Sequence, residues 1–300
     1  MLDYDLHSHS SVSDGLLSPA DLVARAAGRG VKFLALTDHD AVSGLGEAAE
    51  AAAHHGLQLI NGVEISVTWR NHTLHVLGLN IDPAYAPLAA GLQHIRTGRM
   101  ARARLMAESL AGSGIAGALE GAYRYAANPE IIGRTHFARY LVEAGYSKDV
   151  RSVFKNYLVK GKPGYVPHEW APLPDAIQWI VGSGGVAVLA HPGRYTVGRK
   201  KMGSTTLREL LREFIELGGK GIEVVSSSHS PDQFALFARY AREFGLFSSC
   251  GSDFHGPGES FFDLGRLPDF PLDCRPVWDA WATPVALADA GVAAAQIPAG

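Results

Sequence analysis

Short apolar runs and longer stretches of helical periodicity take turns along the chain. Residues 5–9 read as a first strand. Ser18-Pro19 opens a helix through residue 27, since serine is a favoured N-cap and proline suits the first helical turn. The run 31–36 is almost wholly apolar and short enough for a buried strand, and it ends in Thr37-Asp38-His39-Asp40. A helix rich in alanine and glutamate follows over 46–55, then strands over 57–65 and 73–79. The same rhythm returns at Tyr165-Val166-Pro167, with a helix over 173–181 and a strand over 185–190 that ends in His191-Pro192-Gly193-Arg194. A helix over 207–217, a strand over 221–225, a helix over 231–244 and a last strand over 246–249 complete it, and that strand runs into Gly251-Ser252-Asp253-Phe254-His255. This alternation predicts a parallel α/β architecture.

Between the two halves the pattern changes. Residues 83–157 are helical nearly throughout, with candidate helices over 88–110, 116–126, 131–144 and 148–157. The chain is therefore expected to carry an inserted helical subdomain, 83–159, within one α/β body formed by 1–82 and 160–275. Gly161-Lys162-Pro163-Gly164 is the hinge back to that body. Residues 276–300, in a region first rich in proline and then in alanine, are expected to form a C-terminal extension on the outside.

Apolar residues make up 47% of the 300, which is ordinary for a globular chain able to bury a large core. A net charge of −3 gives no global attraction to nucleic acid or membranes, so any anion-binding surface has to be local. Cys250 and Cys274 are too few for a disulfide framework and lack zinc-knuckle spacing. With no basic n-region or apolar h-region at the start and no bilayer-length apolar run, a soluble cytoplasmic enzyme is the expectation.

Polar residues then mark one end of the strands. His7 and His9 point the same way on a strand. His39, Glu64, His75, His191, Asp253 and His255 also fall on a strand or just past its C-terminal end, and Asp14 lies in the loop after the first strand. In barrels of alternating strands and helices, that rim is where active sites assemble. Taken singly, each residue has an ordinary explanation: a chance His-x-His, a helix cap, a turn residue. Their coincidence at strand ends points to metal. Nine ligands exceed what one ion uses and suit a cluster of two or three. Imidazole with carboxylate and no thiolate favours Mn²⁺, Zn²⁺ or Fe²⁺, with Mn²⁺ first given several carboxylates. Closely spaced ions sharing a hydroxide serve phosphoester hydrolysis.

His7-Ser8-His9, Thr37-Asp38-His39, Glu64, His75, His191-Pro192 and Ser252-Asp253-Phe254-His255 together resemble the PHP (polymerase and histidinol phosphatase) family of metal-dependent phosphoesterases, over nearly the whole chain. The resemblance implies a distorted seven-stranded β/α barrel, TIM-like, with a trinuclear metal centre. It implies His7, His9, Glu64 and Asp253 on one ion, and Glu64, His75 and His191 on the second. The third falls to His39, His255 and Asp14, where many relatives have a histidine at the loop position. The insert motifs Ile132-Gly133-Arg134-Thr135-His136-Phe137 and Gly161-Lys162-Pro163-Gly164-Tyr165-Val166-Pro167 resemble the branch of 3′,5′-nucleoside bisphosphate phosphatases. That branch implies hydrolysis of the 3′-phosphate to give a nucleoside 5′-monophosphate, by a hydroxide bridging the metals. Alternatives are a 5′-to-3′ exoribonuclease on short RNA and a histidinol-phosphate-type phosphatase. A C–N amidohydrolase is disfavoured because no lysine occupies a mid-barrel strand end, and a non-enzymatic regulatory module because every ligand position is filled.

The substrate's remaining charge calls for cations. Arg194, three residues past His191, is expected near the mouth, with Arg134 and Lys162 as further contacts, since arginine forks bind phosphate bidentately. His229 could donate to the substrate or leaving group. Arg96, Arg99, Arg102 and Arg104 form a basic helix stripe, read mainly as a solvated face and secondarily as a funnel for polyanions. His54, His55, His72 and His94 have no ligand partners by spacing, and His136 is expected to pack. The implied partner is a small nucleotide, or short RNA, with no membrane and no protein partner.

Overall fold

Local signals at the start of the chain act as their residue types dictate. The computed structural model describes residues 3–196, 202–271 and 273–281. After β1 (Tyr4–Asp5), the Ser18 hydroxyl accepts from the Asp21 N–H and caps α1 (Pro19–Gly28). β2 (Phe33–Leu36) leads to α2 (Leu45–His55), which Gly56 ends at φ 65°, a left-handed conformation that costs glycine nothing. β3 (Gln58–Trp69) and β4 (His72–Leu79) follow. Next come α3 (Ala86–Ala111), α4 (Ala118–Tyr123), a 3₁₀ turn (Pro129–Ile131) and α5 (Arg134–Glu143). α6 (Val150–Val153) runs into a π-helical turn (Phe154–Leu158). β5 (Ala171–Pro172), α7 (Leu173–Gly182), β6 (Val186–Leu189), α8 (Gly193–Thr196) and α9 (Ser204–Glu216) resume the main body. β7 (Gly221–Ser226), α10 (Pro231–Phe244) and β8 (Phe247–Gly251) complete it.

The strands form a nearly closed barrel in the order β1-β2-β3-β4-β6-β7-β8, with β5 added to the far end of β3. Closure runs through Leu6 N–H to Cys250 O (3.0 Å), Asp253 N–H to His7 O (2.8 Å) and His9 N–H to Phe254 O (2.9 Å). Gly251 permits this approach, because a Cβ there would lie 2.1 Å from the Cβ of His7. The fold is the distorted seven-stranded α/β barrel that the family resemblance implied, with a helical insertion.

Its distortion corrects the expectation of a uniformly parallel sheet. β4 runs antiparallel to both β3 and β6. Only Arg70 and Asn71 separate β3 from β4, and a parallel return needs a crossover of a dozen or more residues. Tyr165-Val166-Pro167 is also not a strand; the Val166 carbonyl accepts from Arg102 Nε under the insert, and β5 at Ala171–Pro172 joins a β3 that extends to Trp69.

α3 belongs to two cores. Leu88, Leu92 and Ile95 pack with the barrel strands and α7, whereas Ala103, Met106 and Leu110 pack with Phe137, Leu141 and Val153 of the insert. At the waist between them lie the arginines that the sequence placed on a solvated face. Arg99 is 8% exposed and forms an ion pair with buried Asp40, and it donates to Ser66 Oγ (2.8 Å). Arg96 donates to the Asp40 carbonyl (2.9 Å) and to Glu130 (3.0 Å), and Arg102 is also 8% exposed. Of the stripe only Arg104 faces solvent. The insert packs its arginines inward against the barrel, so neither solvated face nor open funnel describes them.

Residues 276–281 pack against the barrel: Pro276 bridges to Ser248, Val277 is buried, and Trp278 stacks on Tyr4 at 3.8 Å. The rest of the expected C-terminal extension, 282–300, lies outside the described residues. No described helix is long and apolar enough to cross a membrane.

Candidate metal centre

Each strand end delivers a group to one point. β1 runs out into His7 and His9, whose Nε2 atoms lie 3.1 Å apart. β3 supplies Glu64, fully buried, with its carboxylate oxygens 3.4 Å from His7 Nε2, 3.3 Å from His9 Nε2, 2.9 Å from His39 Nδ1, 2.8 Å from His75 Nδ1 and 2.9 Å from His191 Nε2. His75 reaches the mouth from the first half of its strand because β4 is reversed. Asp253 Oδ1 lies 3.3 Å from His9 and 3.5 Å from His7. Asp14 Oδ1 lies 3.3 Å from His255 Nε2 and 3.9 Å from His39 Nε2. All nine residues singled out in the sequence therefore converge. Three overlapping groups have mutually close donor atoms: His7, His9 and Glu64; His39, Glu64 and His75; and His9, Asp14, His39 and His255.

These donors suit divalent cations. Buried Glu64 Oε2, Asp14 Oδ1, Asp253 Oδ1, His9 Nδ1 and His39 Nδ1 have no hydrogen-bond partner. His39 Nδ1 and Glu64 Oε2 are 2.9 Å apart yet misaligned for a hydrogen bond. Buried polar atoms left unpaired are costly, and carboxylates taken out of water are paired or bind metal. Burial alone would raise the pKa of Glu64, but His75, His39 and His7 hold it well below the usual carboxylate range. Asp14 is likewise held down by His255 and His39, and Asp253 by Arg194 and His7, each against its burial. Burial, together with His255, pushes His9 down to about 3, so its imidazole is neutral and can donate a lone pair.

Supporting residues were not all visible in the sequence. Glu223, fully buried on β7, accepts from His7 Nδ1 (2.9 Å) and from the His191 backbone N–H (2.5 Å). Its only sequence signal was a carboxylate inside the apolar run 221–225. Asp38 accepts from the Ser10 N–H (2.8 Å), Ser10 Oγ (2.6 Å) and Ser13 Oγ (2.6 Å), which holds the loop before Asp14.

The expected substrate contacts divide. Arg194 is at the mouth, 45% exposed, paired with Asp253 and bonded to Ser228 Oγ (2.7 Å). Arg134 is half-buried, 5.6 Å above the Phe154 ring. Lys162 is exposed on a turn, with its ammonium bonded to no described residue. His229 does not face substrate: Nδ1 donates to Val224 O (3.0 Å) and Nε2 accepts from the Gly193 N–H (3.0 Å), so both nitrogens are committed to backbone. His136 is structural too. Its Nδ1 accepts from the Gly133 N–H (3.0 Å) at the start of α5, and its Nε2 donates to Ser13 O (3.2 Å). Arg102, which the sequence placed on a solvated helix face, stacks 5.4 Å over Trp170 and donates to Val166 O (3.2 Å).

The chain is 55% identical over 278 residues to a 3′,5′-nucleoside bisphosphate phosphatase of Chromobacterium violaceum, covering 93% of this chain and 96% of that protein. It is 44% identical over 283 residues to the 5′-3′ exoribonuclease Rnm of Salmonella typhimurium, covering 94% of each. Among solved structures, a Chromobacterium violaceum protein described as an amidohydrolase, with bound sulfate and no metal, superposes with a TM-score of 0.89 at 54% identity over 93% of this chain and 95% of that one. A Bifidobacterium adolescentis protein assigned as a metal-dependent phosphoesterase gives a TM-score of 0.76 at 27% identity over 91% and 92%. The PHP domain profile matches residues 3–227, and the chain belongs to the PHP family.

Proposed function

We propose that this protein is a divalent-metal phosphatase that removes the 3′-phosphate of nucleoside 3′,5′-bisphosphates. The observation that carries the substrate class is a pair of arginines, Arg102 and Arg134, that form no ion pair among the described residues. Arg102 is buried, and burial together with Arg134 and Arg99 pushes it down to about 9. Arg134 is lowered by burial and by the nearby Arg99 and Arg194, which outweigh Tyr165 and Asp14. Among the described residues no carboxylate forms an ion pair with either. Guanidiniums taken partly out of water with no ion-pair partner favour a bound anion, and arginine forks match phosphate. A substrate with one phosphate at the metal centre and a second on Arg102 and Arg134 satisfies both sites.

His7, His9, Glu64 and Asp253 are proposed for one ion, Glu64, His75 and His191 for a second, and Asp14, His39 and His255 for a third. Mn²⁺ fits this oxygen- and imidazole-rich set. Divalent ions there supply Lewis acidity and lower the pKa of water to near neutrality. Arg194, half exposed beside Asp253, offers its guanidinium to the phosphoryl oxygens. Arg102 and Arg134 hold the distal phosphate and so fix which ester reaches the centre. No side-chain nucleophile is required.

The same two anion positions would hold neighbouring phosphates at an RNA 5′ end, and the exoribonuclease relative favours that second reading. Phosphate release with Mn²⁺ from adenosine 3′,5′-bisphosphate, AMP, histidinol phosphate and nucleotide release from an RNA oligonucleotide separate the readings. Preference for the bisphosphate is expected, and preference for histidinol phosphate overturns the proposal.

Arg134→Met and Arg102→Met are each expected to lower kcat/KM for the bisphosphate about 10- to 100-fold, the worth of a charge-assisted hydrogen bond of about 1.5–3 kcal/mol. Hydrolysis of p-nitrophenyl phosphate, which has one phosphate, should change little. The thermal midpoint should hold or rise, because an uncompensated buried cation is lost. Equal losses on both substrates would remove these arginines from the second phosphate.

A further inference from the structure

Two of the three residues proposed for the third ion sit on loops that the helical insert holds. The loop at 10–15 carries Asp14, and Asp38 fixes it at Ser10 and at Ser13 Oγ from within the barrel. α5 holds it at Ser13 O and Asp14. His136 Nε2 donates to Ser13 O (3.2 Å), Arg139 Nη2 donates to Asp14 O (2.7 Å), and Thr135 Oγ1 donates to Asp14 Oδ2 (2.8 Å). Arg139 also makes a two-pronged contact with Glu259 (3.0 and 2.7 Å), on the loop that follows His255. Asp14 thus has one oxygen held by the insert. The other, Oδ1, is buried without a hydrogen-bond partner and faces His255 and His39.

We propose that α5 of the insert is a working part of the third metal position, with Thr135 as the positioning residue that turns Asp14 Oδ1 toward His39 and His255. This rests on the ligand set given above and adds a role for a residue outside it. A carboxylate can rotate about its Cβ–Cγ bond, and a donor on one oxygen decides where the other points. Partners of this kind orient metal ligands and contribute to affinity without touching the ion. Thr135 follows Arg134 in sequence, so the turn that meets the second phosphate also aims this ligand.

The test measures Mn²⁺ bound to the metal-stripped full-length protein by equilibrium dialysis and metal analysis, with Asp14→Asn marking the third ion. Wild type is expected to bind three ions. Thr135→Val, close to isosteric, should keep two at unchanged affinity and weaken the third about 10- to 100-fold. Thr135→Ser should restore it, with the thermal midpoint the same throughout. Thr135→Ala, which introduces no new branched methyl, should match Thr135→Val. Wild-type affinity at the third position in both the Val and Ala variants, or equal weakening of all three ions, overturns the inference and leaves the ligand set standing. A wild type that binds fewer than three ions overturns the ligand set itself, and the inference with it.

Discussion

Glu64→Ala is expected to strip bound metal and to lower kcat/KM on the bisphosphate by about 10³-fold or more. Glu64 is the carboxylate around which five imidazoles gather, from His75 at 2.8 Å to His7 at 3.4 Å, and it is proposed for two ions at once. Metal-centred charge stabilisation is worth several kcal/mol, and each 1.36 kcal/mol is a factor of ten in rate. Alanine removes the one anion common to both positions and leaves the imidazoles facing one another. Metal content by elemental analysis and phosphate release, run on the same preparation, should fall together. Unchanged metal with full activity would sink the ligand assignment.

Glu223→Gln is expected to reverse the tautomer of His7. Both Glu223 oxygens accept, one from His7 Nδ1 and one from the His191 N–H. A backbone N–H can only donate, so the single glutamine oxygen stays with His191. The amide NH₂ then turns to His7 and donates to Nδ1. That leaves the proton on Nε2, the atom aimed at Glu64, His9 and Asp253, where it blocks coordination. Metal affinity should fall about 10- to 100-fold, the usual worth of a carboxylate behind a ligating histidine. ¹⁵N shifts of the His7 ring report the tautomer in metal-free protein at a pH where the ring is neutral. That pH lies above a pKa that, against burial, Glu223, Glu64 and Asp253 raise well above the usual imidazole value. A His7 that keeps its proton on Nδ1 in Glu223→Gln would refute the mechanism, whatever the activity.

The nine converging residues were legible because charged and imidazole side chains interrupt strand patterns that are otherwise apolar, and because strand ends in such barrels meet at one rim. Glu223 escaped for the opposite reason. A lone carboxylate inside 221–225 has no periodic partner, and its meaning lies in two groups from other strands. Arg99 and Arg102 were misread because charge on a helix usually faces water; their burial depends on Asp40 and Trp170, which arrive from elsewhere in the chain. His229 was read from its loop position, yet ring nitrogens bonded to Val224 and Gly193 cannot be inferred from spacing. The reversal of β4 was the one fold error with a local cue, since even 66–72, the stretch between the two expected strands, is too short for a crossover.

That reversal sets how the roof of the site is mounted. Because β4 descends, the chain leaves it at the floor of the barrel, where Ile81 N–H bonds Asn61 O, and the insert must climb back to the mouth. The climb is α3, whose 26 residues span about 39 Å at about 1.5 Å per residue. Its lower turns are cemented into the barrel and its upper turns into the insert, so the roof stands on a post and not on a flexible tether. A post transmits rotation. Each residue added between Ile95 and Arg102 would swing the upper half by about 100° and carry Arg102 away from Trp170. The length of that segment is therefore expected to vary among functional sequences only in steps that preserve the helical phase.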